Sequence, residues 1–198
     1  MNKAQTSLRN YLYQRVIAQW SQQGCSSRTP YVSVEDYVLD RGRLFHSQSL
    51  TSREIGVVLE AARRAGKNFP QGYCFANAAK LVVSDTTGEL HYVEGFAVGT
   101  LMPVHHAWVV IQNKIVDLTW RSRDQDVTVM KHPYTENILG VMPADRAYLG
   151  VSFLHDDVLR RLANTSLSAV SFFDDWEKNR SLFRPDRLRD PPSLQKEL

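Results

Sequence analysis

The residue best placed to do chemistry is Cys74. It lies in PQGYCFANAA, Pro70 to Ala79, where a loop containing Pro and Gly gives way to a helical pattern. A free thiol with an unperturbed pKa of ~8.5 is only about 3% thiolate at pH 7, and the first turn of a helix favours the anion through its unpaired N–H groups and its dipole. Full ionisation multiplies the reactive fraction only ~30-fold, worth about 2 kcal/mol, so a catalyst built on this thiol needs an ordered base and an oxyanion site as well.

A nucleophilic cysteine requires a base to take its proton and a third group to hold that base in the right tautomer. The candidates are His106 and Asp117 in HHAWVVIQNKIVDLTW, His105 to Trp120. His105 points to the opposite side of a strand from His106, so only one of the two meets Cys74. A two-residue turn at Asn113 and Lys114 sets Asp117 opposite Val110, about four residues or ~13 Å along the strand from His106, too far for a hydrogen bond. Strand twist, a wider turn or a bulge must close that gap. Otherwise Asp124, Asp126 or a backbone carbonyl orients the imidazole.

Each of these residues has a plainer reading. A lone Cys on an amphipathic helix is more often a small buried hydrophobe, a strand His a satisfied donor, and Asp117 the start of a turn or a partner of Arg121. A Cys at a helix start followed by His and Asp on successive strands shifts the balance towards catalysis. Trp108 shares the side of His106 and reads as core, and Glu94 in HYVEGF reads either as part of a solvated strand face or as a neighbour of the site. Adjacent histidines that point apart, without CxxC or HxxxH spacing, argue against a metal site.

The elements that must carry these residues are legible. After Cys74, Phe75, Ala78, Ala79 and Val82 follow the helical i, i+3, i+4, i+7 rule, with no Ser, Thr, Asp or Asn cap before them. Leu8, Leu12, Val16 and Trp20 mark a helix from Ser7 to Gln22. SVEDYVLDRG is a short helix capped by Ser33, and TSREIGVVLEAARRAG a longer one with a capping box of Thr51 and Glu54. LHYVEGFAVG, PVHHAWVVIQ and IVDLTW read as strands, the last two as a hairpin. A polar stretch from Arg121 to Pro143 reads as a long loop, RAYLGVSF as a strand, HDDVLRRLANT as a helix capped by Asp156 and Asp157, and LSAVSFFDDWEKN as a last helix. Helices first and strands after predict an α+β fold, helices packed on an antiparallel sheet. We expect one domain over residues 1–183, with an N-terminal helical part (1–48) and a core (49–183), followed by a flexible tail, 184–198.

A chain of 198 residues, 43% hydrophobic and 23% charged, holds one good core. Its net charge of +3 does not demand a nucleic-acid partner. With no apolar leader and no run long enough to span a bilayer, the expected setting is cytoplasmic, without a membrane partner. Two cysteines, Cys25 in a polar QQGCSS loop and Cys74, make no disulfide framework.

The Cys at a helix start, His-Ala-Trp on one strand and Asp-Leu-Thr on the next resemble the core of the papain-like and transglutaminase-like cysteine hydrolases. The resemblance covers about residues 68 to 120, roughly a quarter of the chain. It implies Cys74 as nucleophile, His106 as general base and acid, and Asp117 as its orienter. It also implies an oxyanion donor in Gln71 or Asn68, Gln71 by residue type and Asn68 by spacing, beside the backbone N–H of Cys74. The expected activity is cleavage or transfer at an amide of a protein or peptide substrate (peptide, isopeptide or glutamine), through a thioester and without metal or cofactor. The alternative is an inactive papain-like binding module with a protein or nucleic-acid partner, to which Arg121, Arg123, the basic tail and a pI of 8.9 lend support. The oligomeric state stays open.

Overall fold

The computed structural model describes residues 1–23, 31–45, 48–66, 69–70, 72–98, 102–119, 146–167 and 170–174. Within them the chain forms helices α1 (Lys3–Gln23), α2 (Val34–Arg41), α3 (Ser52–Arg64), α4 (Cys74–Val83) and α5 (His155–Asn164). The strands are β1 (Arg43–Phe45), β2 (Leu90–Val98), β3 (Pro103–Ile111), β4 (Lys114–Val116) and β5 (Ala147–Phe153). They make one antiparallel sheet in the order β1-β5-β2-β3-β4, so the protein is α+β. No helix among the described residues is long and apolar enough to cross a membrane.

Helix ends follow local chemistry. The Ser33 hydroxyl accepts from Asp36 N–H at the start of α2, and Thr51 and Glu54 form the reciprocal capping box of α3. Glu54 also meets Lys114 Nζ at 2.7 Å, which ties α3 to the first residue of β4. On α5 only Asp157 acts as the cap, its carboxylate accepting from Leu154 N–H. Tyr73 precedes α4 and offers no side-chain cap.

The two sides of the sheet differ as strand alternation requires. Ala107, Val109 and Ile111 pack with Val58, Ala61 and Ala62 of α3, Ala79, Leu81 and Val82 of α4 and Val158 of α5, while Phe96, Val98 and Leu149 pack with Leu8 and Leu12 of α1 and Val38 of α2. Trp108, Val110, Val93, Ala97, Phe45, Ile115 and Tyr148 form a separate cluster on the other side. Gly95 and Gly150 face one another across β2 and β5 in the row that contains His106. A Cβ at Gly95 would overlap the Leu149 carbonyl oxygen, so the close strand approach there requires glycine.

The structure departs from the sequence reading at four places. The β3–β4 turn is made by Gln112 and Asn113, not Asn113 and Lys114. Both turn residues are left-handed, at φ 47° and 69°, as a tight hairpin turn requires, and Lys114 becomes the first residue of the strand. Residues 43–45 form an edge strand against β5, so the N-terminal part contributes to the sheet itself. IVDLTW stops being a strand after Val116, where Asp117 leaves the ladder. Residues 170–174 are not helical, because the amides of Phe172 and Phe173 donate to the Glu94 carboxylate instead of to preceding carbonyls. The loop expected from Arg121 to Pro143 and the tail 184–198 lie outside the described residues.

Candidate active site

The hairpin register brings Asp117 to His106. The observed pairs are Val109 with Val116, Val110 with Ile115 and Ile111 with Lys114. Continued by one step, that register sets Asp117 beside Trp108, two residues or ~7 Å along the strand from His106. The ~13 Å gap expected from the turn at Asn113 and Lys114 therefore does not exist. His106 Nε2 lies 2.7 Å from Asp117 Oδ2, so neither a bulge nor a substitute orienter is needed. Asp124 and Asp126 lie outside the described residues.

The His106 ring also meets the helix. The Cys74 side chain adjoins the same imidazole whose Nε2 is held by Asp117, and its hydrogen bonding and charge help to hold the ring's proton. Among the described residues β4 pairs only with Val109 to Ile111, and α4 packs against β3. All three side chains are nearly dry: Cys74 is 8% exposed, His106 6% and Asp117 3%. Trp108 lies almost parallel to the His106 ring, 19° between planes and 6.2 Å between centroids. Its placement in the core agrees with strand parity.

Asp117 is held at both oxygens. Oδ1 accepts from Thr119 N–H at 3.0 Å, and Oδ2 accepts from the Tyr148 hydroxyl at 3.1 Å as well as from His106. The described partners are all donors, which suits an ionised carboxylate. The His106 imidazole is correspondingly pushed up to about 9. Burial by itself favours the neutral ring, and the charge and hydrogen bond of Asp117, with further help from Cys74, outweigh it. Because the folded value lies above the unfolded ~6.5, the stability this adds is fully present below pH ~6.5 and is lost as pH rises through about 9. In urea titrations, the unfolding free energy of the wild type minus that of His106→Gln is expected to fall by on the order of 3 kcal/mol between about pH 6 and pH 9.5. A difference that stays constant over that range would contradict the charge pairing.

Asn77, one turn after Cys74, stitches the helix to the hairpin. Its Nδ2 donates to Thr119 Oγ1 and to the Pro70 carbonyl, both at 2.8 Å, so it holds both the loop before the nucleophile and the turn that carries Asp117. Asn77→Ala removes the donor to the buried Thr119 hydroxyl and to the part-buried Pro70 carbonyl, and is expected to destabilise the fold by about 1–3 kcal/mol in urea titrations. Unchanged stability would mean that neither bond matters. Sequence reasoning missed Asn77 and Tyr148, and quoted Thr119 only as part of the Asp-Leu-Thr motif, without a role. Asn77 left a signal, as a polar residue inside the apolar run FANAAKLVV.

His105 is placed elsewhere. Its Nε2 lies 3.0 Å from Glu94 Oε1, and its ring packs on Phe75, Phe96 and Phe173. Glu94 is fully buried, not on a solvated face, and accepts from Tyr92, Ser171 and the amides of Phe172 and Phe173 as well. The two histidines thus bond different carboxylates. Among the described residues no three His, Cys, Asp or Glu side chains converge as a metal ion would need.

Gln71 and Asn68, the oxyanion candidates, lie outside the described residues, as does Cys25. The described donor is the helix start itself: the N–H groups of Cys74, Phe75 and Ala76 precede the first intrahelical bond, made by Asn77 N–H to the Tyr73 carbonyl. Gly72, two residues before Cys74, has φ +81° and open space where a Cβ would stand, so the chain turns sharply into the helix. Comparison of the chain with protein-family models, with curated proteins and with solved structures finds no match.

Proposed function

We propose that this protein is a cysteine-dependent hydrolase or acyltransferase of papain-like or transglutaminase-like type, acting on an amide carbonyl of a protein or peptide. The observation that carries this reading is a single buried imidazole held at Nε2 by Asp117, with the Cys74 side chain beside the same ring. His106 takes the thiol proton, and the sulfur attacks the carbonyl carbon, forming the C–S bond and driving charge onto oxygen. The Cys74 N–H is positioned to receive that charge, with Gln71 or Asn68 as the second donor implied by the resemblance. His106 returns the proton to the departing amine as the C–N bond breaks, leaving a thioester. Water or a second amine, deprotonated by His106, then displaces Cys74, giving hydrolysis or acyl transfer. Asp117 stabilises the imidazolium formed on the way. None of these steps calls on a metal or cofactor.

The test is the pH profile of alkylation by iodoacetamide, read peptide by peptide so that Cys25 is the internal comparison. A thiol paired with an imidazolium reacts at a rate nearly independent of pH from about pH 6 to pH 8, whereas an ordinary thiol loses about tenfold per pH unit below its pKa. If Cys74 and Cys25 both follow the ordinary slope, the enzyme reading fails and the inactive binding module takes its place. Where Cys74 instead keeps a flat profile, an acyl adduct trapped on it and identified by mass names the substrate class.

A further inference from the structure

We propose that Tyr148 and Arg146 form a second arm of the site, which grips Asp117 from β5 and limits how tightly His106 holds its proton. The proposal rests on the reading of His106 as general base and acid. Its structural basis is the route by which Tyr148 reaches the triad. β5 is separated from β3 by β2, yet the Tyr148 hydroxyl meets Asp117 beyond β3. On that side β2 presents Gly95 in the row of His106 and Ala97 in the row of Tyr148, so nothing larger than a methyl group stands in the way of the phenol.

The direction of the hydrogen bonds is fixed by the residue types. Arg146 bonds the Tyr148 hydroxyl, and a guanidinium only donates, so the phenol oxygen accepts from it and the single phenol proton goes to Asp117 Oδ2. Burial and the Asp117 charge push the phenol well above its usual range, with Arg146 only partly offsetting them, so it remains a protonated donor. Oδ2 is thus shared by two donors, Tyr148 and His106. A donor with a cation behind it places positive potential on the carboxylate and weakens its pull on the imidazolium.

Among the described residues, the following groups surround His106. α4 contributes Cys74, the end of β4 contributes Asp117, and β5 contributes Tyr148 with Arg146 behind it. On its own strand Trp108 is its neighbour, and β2 presents Gly95 and Ala97 on this side, with Glu94 and Tyr92 on the other. A histidine that binds its proton too tightly is a slow general acid towards a leaving amine, and the second arm opposes that excess. Tyr148 and Arg146 are positioning residues here, acting through Asp117.

The test is imidazole NMR titration of the full chain, with the His106 signal assigned by its loss in His106→Gln. Tyr148→Phe is expected to raise the His106 pKa by at least about half a unit and to shift the alkaline limb of Cys74 alkylation upward by the same amount. Arg146→Gln should shift both in the same direction, and should add nothing in the Tyr148→Phe background. An unchanged or lowered His106 pKa in Tyr148→Phe overturns the proposal, and so does an Arg146→Gln shift that is equal with and without the phenol. Should Tyr148→Phe fail to fold, an unshifted pKa in Arg146→Gln decides against the arm. The titration reads the arm whether or not Cys74 is reactive. Alkylation of Cys74 along the ordinary thiol slope, beside the expected pKa shifts, would therefore reject the enzyme reading and leave the arm in place.

Discussion

Replacing His106 with glutamine is expected to return Cys74 to the behaviour of an ordinary thiol. At pH 6 such a thiol is only about 0.3% ionised, so an imidazolium partner offers up to ~300-fold more thiolate. The lower nucleophilicity of an acidic thiol takes back part of that advantage, leaving roughly tenfold or more in the alkylation rate. The slope is the stronger signature, because His106→Gln should show about tenfold loss per pH unit where the wild type is flat. Glutamine keeps a donor that can still reach Asp117 Oδ2, so the variant tests proton transfer more than packing. With a substrate in hand, the same change should lower kcat by ~10²–10⁴, the range for loss of general acid–base catalysis. If His106→Gln alkylates at pH 6 as fast as the wild type, the pairing of His106 with Cys74 has no chemical consequence.

The second large effect is structural and lies at Glu94. Its carboxylate has no exposed surface and gathers Tyr92, His105, Ser171 and the amides of Phe172 and Phe173. Glu94→Ala removes the acceptor common to all five donors and leaves several of them dry and unpaired, which is expected to destabilise the protein by about 3–5 kcal/mol. Set against a total stability of ~5–15 kcal/mol for a domain, that is enough to populate partly unfolded forms. The segment 170–174 should release first, since Ser171, Phe172 and Phe173 all anchor there. Phe172 stacks on Phe153 at 3.9 Å and Phe173 on His105 at 5.7 Å, and both contacts would be lost with it. Hydrogen exchange at the Phe172 and Phe173 amides, with the urea midpoint, provides the check. An unchanged midpoint together with protected amides would show that apolar packing alone secures the segment. Glu94→Gln, which turns two donors of its own towards the N–H groups, should fall between the wild type and alanine.

These two expectations concern adjacent rows of one sheet, and the alternation of β3 keeps them apart. His106 joins the nucleophile and the Asp117 carboxylate, while His105 joins Glu94 and the aromatic cluster that secures residues 170–174. Phe75 touches His105 and follows Cys74 directly, so the structural network also packs against the start of the nucleophile helix. A variant at Glu94 is therefore expected to disturb Cys74 through packing, and its urea midpoint must accompany any reactivity measurement.

Much of this protein follows from the order of its residues. Leu8, Leu12 and Val16, or Ala79 and Val82, repeat at the helical period because one side of each helix must leave water, and Ser33, Thr51 and Glu54 announce helix starts because the first amides need acceptors. The division of His105 from His106, and the pairing of sides between His106 and Asp117, follow from the two-residue period of a strand. That same period hides the register. Turns at Gln112-Asn113 and at Asn113-Lys114 differ by two residues in pairing, so they send every side chain to the same side, and only the folded hairpin distinguishes contact between His106 and Asp117 from a gap. The segment after Leu167 has helical periodicity, yet Glu94 lies more than seventy residues earlier and captures its amides, an acceptor that local pattern does not reveal. Tyr148 reaches Asp117 for a similar reason, since its route depends on Gly95 and Ala97 in a strand that only the sheet order places between them. Periodicity records which side of an element leaves water, whereas the partner on that side is set by distant segments meeting in three dimensions.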